Sequence, residues 1–175
     1  LFALFFSAYS MRSSLGDWRP LPVPSLLWLN TGVLVFSSLA LQYARGAARR
    51  GDLGDVQTGL LAGGISALAF IAGQLLAWQQ LSDAGYFLVA NPANTFFYLL
   101  TAVHGLHLVG GLVALGRAAA KVRRADASLD GVRLSVDLCA IYWHFLFLVW
   151  VLLFALLLIE SNATLADFII RCKSL

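Results

Sequence analysis

Three histidines, His104, His107 and His144, are the side chains best equipped for chemistry, and all three sit inside long apolar stretches. An imidazole within a bilayer can ligate a metal or haem, pass a proton, or hydrogen-bond a neighbouring helix or lipid headgroup. His104 and His107, spaced i and i+3, share a helical face with Gly111. His144 lies one to two turns into a different stretch. At 1.5 Å per residue the two sites differ in depth by about 8–12 Å. A bis-His haem needs ligands at equal depth on facing helices, which this pair reaches only with strong tilt. A zinc or di-iron site recruits carboxylates or further ligands, yet the single glutamate is Glu160, at the end of the last apolar stretch. The same shortage denies the chain a carboxylate proton relay of its own. The expectation is a chain without its own metal or cofactor, whose histidines make packing or lipid contacts.

The elements that hold these residues are apolar spans. Leu1–Ser10, Ser25–Ala44, Gly59–Leu81, Asn94–Gly116 and Leu138–Ile159 contain no Asp, Glu, Lys or Arg. A spanning helix needs about 20 mostly apolar residues, and four of the five have that length. Leu1–Ser10 is short and reads as the tail of a helix whose beginning is missing. The composition agrees: 60% hydrophobic, 12% charged and a mean hydropathy of +0.81, against about 25% charged in soluble domains. No basic segment precedes Leu1–Ser10 and no small-residue cleavage site follows it, which excludes a signal peptide. The expected fold is all-α: one domain, residues 1–175, a bundle of five transmembrane helices with the first truncated.

Loop charge orients the bundle. Arg45, Arg49 and Arg50 follow the second span; Arg117, Lys121, Arg123, Arg124 and Arg133 follow the fourth. These eight cations share one side of the membrane. The other side carries four: Arg12, Arg19, Arg171 and Lys173. The positive-inside rule places loops 45–58 and 117–137 in the cytoplasm and the C-terminus outside. The net charge of +3 then reflects contact with anionic lipid, and no basic patch on a folded soluble surface invites nucleic acid. Cys139 and Cys172 fall on opposite sides, so no disulfide is expected between them.

Small residues announce close helix packing, which in lipid replaces the hydrophobic drive. Gly59, Gly63 and Ala67 form a flat stripe at successive i, i+4 steps, with Gly73 and Gln74 near the outer end. Asn30, Ser37 and Ser38 share roughly one face. Gly105, Gly110, Gly111 and Gly116 punctuate the fourth span. Pro20, Pro22, Pro24 and Pro92 all fall in expected loops, so the broken helices of transporters are missing. Trp18, Trp28, Trp78, Tyr86, Tyr98, Tyr142 and Trp143 lie near expected helix ends, where amphipathic rings form interfacial belts.

Two segments carry a specific resemblance. Asn94–Leu115, reading NTFFYLLTAVHGLHLVGGLVAL, resembles the T-G-x-H-G-x-H-V-x-x-G signature of subunit III of haem-copper terminal oxidases. Ile141–Leu153, reading IYWHFLFLVWVLL, resembles that family's last helix, Y-W-H-F-V-D-x-V-W. LLWLNTGVLVFSS (Leu26–Ser38) and AGQLLAWQQL (Ala72–Leu81) are weaker matches in the right order. Together they cover nearly the whole chain and fit the short, five-helix form. The chain departs from the pattern at Phe147, where the family usually has Asp, and at Ala102, where it has Gly.

The resemblance implies an accessory subunit of a respiratory oxidase that reduces O2 to water. Haems and copper would reside in subunits I and II. This chain would pack on subunit I, bind phospholipid, and support oxygen access, proton uptake and durability in turnover. Asn30, Gln74, Trp78, His104, His107, Trp143 and His144 would be packing, lipid or subunit contacts, and no residue would be catalytic or bind a cofactor. Two other classes stay open. A b-type cytochrome would show a Soret band in the isolated subunit. A small transporter would need a polar midplane cavity that Gln74 and three histidines hardly furnish. Subunit III homologues also accompany nitric oxide reductases, which leaves the parent complex open.

Overall fold

A computed structural model describes residues 7–8, 11–12, 25–87, 91–123 and 128–173, with side chains described as far as Ile159. Four helices account for almost all of them: α1 (Leu26–Arg50), α2 (Leu53–Asp83), α3 (Pro92–Val122) and α4 (Leu129–Lys173). The five-helix expectation is therefore corrected to four helices long and apolar enough to cross a membrane among the described residues. The ten residues Leu1–Ser10 supply about 15 Å of helical rise, against a hydrocarbon core of roughly 30 Å, and are not among the four counted spans. Only Ser7 and Ala8 of that stretch are described; Trp18, Pro20, Pro22 and Pro24 lie outside the described residues.

All four helices outrun their apolar spans. Lack of charge marks where hydrocarbon ends, whereas a helix continues until a capping residue stops it. The first connection shows this. Residues 45–58, expected as a loop, are helical except for the turn at Gly51 and Asp52. Gly51 adopts φ 82°, a left-handed conformation that suits glycine. Its N–H donates to the Ala48 carbonyl and that of Asp52 to the Ala47 carbonyl, a Schellman closure. The Asp52 carboxylate then caps α2 by accepting from the Asp55 N–H at 3.1 Å. Pro92 is likewise no loop residue: it opens α3 at a position where its missing N–H costs nothing, behind the Asn91 cap.

The helices run up and down, each packed on two neighbours: α1 on α2 and α4, and α3 on α2 and α4. The small-residue stripe on α2 is where α1 comes closest. A Cβ added at Gly59 would stand 2.8 Å from the Ala40 carbonyl oxygen and 2.8 Å from the Ala44 Cβ. One turn on, the Ser37 hydroxyl donates to the Gly63 carbonyl at 2.9 Å. Farther along, the Asn30 carboxamide lies against Gly73, where a Cβ would collide with it.

One end of the bundle is tied by charge. Arg45 on α1 pairs with Asp137 on α4 at 2.7 Å. The Arg133 guanidinium donates to the Ala48 and Arg49 carbonyls at 3.0 and 3.2 Å, adding to the closure of the C-terminal end of α1. These contacts bring the α1–α2 turn and the start of α4 to the same end.

Candidate functional site

The polar side chains inside the bundle form a ladder of interhelical hydrogen bonds. Asn30 and Gln74, both buried, meet across α1 and α2, the Asn30 Nδ2 donating to Gln74 Oε1 at 3.5 Å. Asn30, Ser37 and Ser38, expected on roughly one face, divide their partners: Asn30 meets α2, Ser38 meets α4, and Ser37 meets both.

Indole N–H groups supply three more rungs. Trp78 on α2 donates to the Thr101 hydroxyl of α3 at 3.2 Å. Trp143 on α4 donates to Ser37 of α1 at 2.9 Å, and Trp150 donates to Thr31 of α1 at 3.0 Å. Trp143 is 1% exposed, so its assignment to an interfacial belt is corrected: it is a core residue. Its ring packs over Gly111, where an added Cβ would lie 2.9 Å from the indole. Trp28, by contrast, is 59% exposed near the start of α1. Trp150, absent from the sequence-based site residues, is buried as deeply as Trp143. Its signal was available: a second tryptophan seven residues after Trp143 repeats the same helical face.

Each histidine has its own surroundings. His104 is fully buried, its ring 6.0 Å from that of Phe70 and 5.3 Å from that of Trp150. His107 is half-buried and its Nδ1 donates to the Val103 carbonyl at 2.7 Å. The i, i+3 pair therefore does not act as one unit, since one ring enters the core and the other the outer surface between α3 and α4. His144, half-buried, bridges two residues of α1. Its Nδ1 lies 2.6 Å from the Ser38 hydroxyl and its Nε2 3.2 Å from Gln42 Oε1. Ser38 donating and His144 Nε2–H donating onward satisfy a neutral ring at both nitrogens. Among the described residues no three His, Cys, Asp or Glu side chains converge as metal ligands.

Outside the core, α3 and α4 border a groove of about 310 Å³ near the charged end. Arg117 and Lys121 line it from α3, and Ser135, Cys139 and Tyr142 from α4. Lys121 Nζ donates to the Ser135 hydroxyl at 3.2 Å, and the Tyr142 hydroxyl donates to the His107 carbonyl at 3.2 Å. The arrangement offers fixed positive charge at one end and aromatic and small residues beyond.

Comparison with known proteins agrees with the motifs. The family model described as Cytochrome c oxidase subunit III matches residues 1–161. A probable cytochrome c oxidase subunit 3 of Mycobacterium tuberculosis is 31% identical over 167 residues, covering 90% of this chain and 77% of the relative. Cytochrome c oxidase subunit 3 of Synechocystis is 30% identical over 161 residues, covering 89% of this chain and 68% of the relative. That of Thermostichus vulcanus is 28% identical over 169 residues, with 93% and 81% covered.

Proposed function

The chain belongs to the cytochrome c oxidase subunit III family, and on that premise we propose that it is the non-catalytic, cofactor-free subunit that buttresses the oxidase core. Membership makes it a multi-pass membrane component of the respiratory chain that works alongside other oxidase subunits. The finer reading is that it packs on subunit I, holds phospholipid against its outward apolar faces, and sustains oxygen and proton access while subunits I and II carry the haems and copper. The observation that carries this reading is the use made of the interior polar groups. Asn30, Ser37, Ser38, Trp78, Trp143 and His144 are engaged with other helices, which is a structural employment. Large side chains that point outward, such as Phe36, Leu39, Ile65 and Leu68, suit contact with lipid tails.

Removal of the subunit tests it. Packing without a hydrophobic drive between helices permits detergent to strip this chain from its partner without unfolding either. The depleted complex should keep its haem spectrum and its initial rate of oxygen uptake, then lose activity faster over repeated turnovers than the intact complex at matched haem. A depleted complex that holds its haems yet shows no initial activity would make this chain a direct participant in the chemistry.

The orientation follows from the same charges. Both basic connections lie at one end of the bundle, and the positive-inside rule assigns that end to the cytoplasm. Arg49→Cys and Lys121→Cys should resist a membrane-impermeant thiol reagent in intact cells and react in inverted vesicles. Labelling of either from outside intact cells would invert the topology.

A further inference from the structure

The two ends of the bundle differ in charge. No Lys or Arg occurs between Arg50 and Arg117, so α2 and α3 carry no cation at the end opposite the basic connections. Asp83 closes α2 there, exposed and without an ion-pair partner among the described residues. Beside it lies a groove of about 500 Å³, within the range of about 300–1,000 Å³ typical of small-molecule sites. Its walls are Leu75, Trp78, Gln79 and Ser82 of α2, Tyr98 of α3 and Phe87 of the connection. The rings are set in place before anything enters. The Trp78 indole is held by Thr101, and the Tyr98 hydroxyl donates to the Tyr86 carbonyl at 3.1 Å. Asn94 Nδ2 donates to the Phe87 carbonyl at 3.0 Å and so fixes the connection beside them. The ring centroids of Trp78 and Tyr98 stand 5.6 Å apart with their planes at 68°.

We propose that this α2–α3 groove is a headgroup-selective site that takes the ammonium group of a zwitterionic lipid and rejects an anionic one. The proposal rests on the lipid-holding part of the accessory reading and adds which headgroup is chosen, and where. A cation is drawn to an aromatic face within about 6 Å of the ring centroid. Two centroids 5.6 Å apart let one ammonium group meet both rings. The Asp83 carboxylate adds attraction of the same sign, and no Lys or Arg of α2 or α3 opposes it at this end. Gln79 and Ser82, three residues apart along α2, offer an amide and a hydroxyl to the phosphate. Leu75 lies two turns below Ser82, about 10 Å deeper, and is 51% exposed. The groove is thus cation-binding above and apolar below. A soluble amine lacks the apolar half and an anionic lipid lacks the cationic one. An ordinary interfacial belt, whose rings answer only to headgroup depth, would show no preference for headgroup charge.

Lipid capture by the assembled complex decides it. A photoreactive benzophenone residue is introduced at Leu75 or, as a control, at Leu29 of α1, which is 63% exposed near the same end. The complex is then placed in vesicles of equimolar phosphatidylcholine and phosphatidylglycerol with matched acyl chains. At Leu75 phosphatidylcholine should be captured about fivefold over phosphatidylglycerol, the scale of two ring contacts. At Leu29 the two should be captured equally. Tyr98→Leu removes a ring but keeps an apolar side chain, and Asp83→Asn removes only the charge; each should lower the ratio at Leu75 towards one. Tyr98→Phe, which retains the ring, should preserve it. Equal capture at Leu75 without these changes, an excess of phosphatidylglycerol, an adduct with a polypeptide, or no adduct overturns the proposal. An unchanged ratio in Asp83→Asn also overturns it, and this exposed substitution decides if Tyr98→Leu fails to assemble. Equal lipid capture at both positions removes the headgroup site alone, whereas no lipid captured at Leu29 removes the lipid-holding reading beneath it.

Discussion

Gly59→Leu should separate α1 from α2 and cost about 3 kcal/mol of bundle stability, the upper end of what overpacking does. The reason is what surrounds the position. An added Cβ would lie 2.8 Å from the Ala40 carbonyl oxygen and 2.9 Å from the Ala44 nitrogen, and neither backbone atom can swing aside as a side-chain tip could. The helices must move apart. The Ser37–Gly63 hydrogen bond one turn away, at 2.9 Å, stretches with them, and Trp143 loses the acceptor that Ser37 offers it. A loss of 3 kcal/mol is a factor of more than 100 in the equilibrium between packed and separated helices. The check is the denaturation midpoint of the purified subunit in mixed micelles, followed by circular dichroism, with Gly32→Leu alongside. Gly32 lies on the same helix pair but faces open space, so its substitution should change stability by less than about 0.5 kcal/mol. Equal midpoints for the two variants would refute the close approach of α1 and α2.

The location of that contact was legible because glycine is informative in lipid. A membrane helix is apolar towards its neighbours and towards the bilayer alike, so hydrophobic pattern says little about which side faces inward. Residues that break the pattern do say it. Gly59, Gly63 and Ala67 marked a packing face, and Asn30 and Gln74 marked polar contacts, though not which helix each would meet. The motifs around His104 and Trp143 identified the family, which the matched residues 1–161 uphold. What escaped was what depends on rotation of one helix against another. Trp143 near the end of an apolar run reads as an interfacial ring; only the turn of α4 towards Gly111 and Ser37 makes it core. His104 and His107 look like a pair by spacing, yet 60° of the helical wheel separates a core ring from a surface one. Helix ends escaped for another reason. Arg45, Arg49 and Arg50 stop the hydrocarbon but not the helix, and only Gly51 does that. The five-helix expectation included Leu1–Ser10, which lies mostly outside the described residues, and the described residues hold four spans.

Trp143→Ala should rank with Gly59→Leu among single changes, while Trp143→Phe should cost far less. The indole touches two helices and links a third: it lies on Gly111 of α3, donates to Ser37 of α1, and through Ser37 is linked to the Gly63 carbonyl of α2. In water, truncating such a residue costs about 3–5 kcal/mol, part of it lost transfer energy. In lipid that part vanishes, because a separated helix leaves its tryptophan among acyl chains. The cavity cost remains. A void of about 100 Å³ at about 24 cal/mol per Å³ comes to about 2.4 kcal/mol, and the lost hydrogen bond adds about 0.6 kcal/mol, the average between membrane helices. The alanine variant should therefore lose about 3 kcal/mol. Phenylalanine fills most of the space and gives up only the donor, for about 0.6–1.7 kcal/mol. The ratio of the two losses, measured by the same denaturation midpoints, separates packing from hydrogen bonding. If phenylalanine costs as much as alanine, the Trp143–Ser37 bond rather than the fit over Gly111 holds α4 in place, and the dispersion account of this bundle fails.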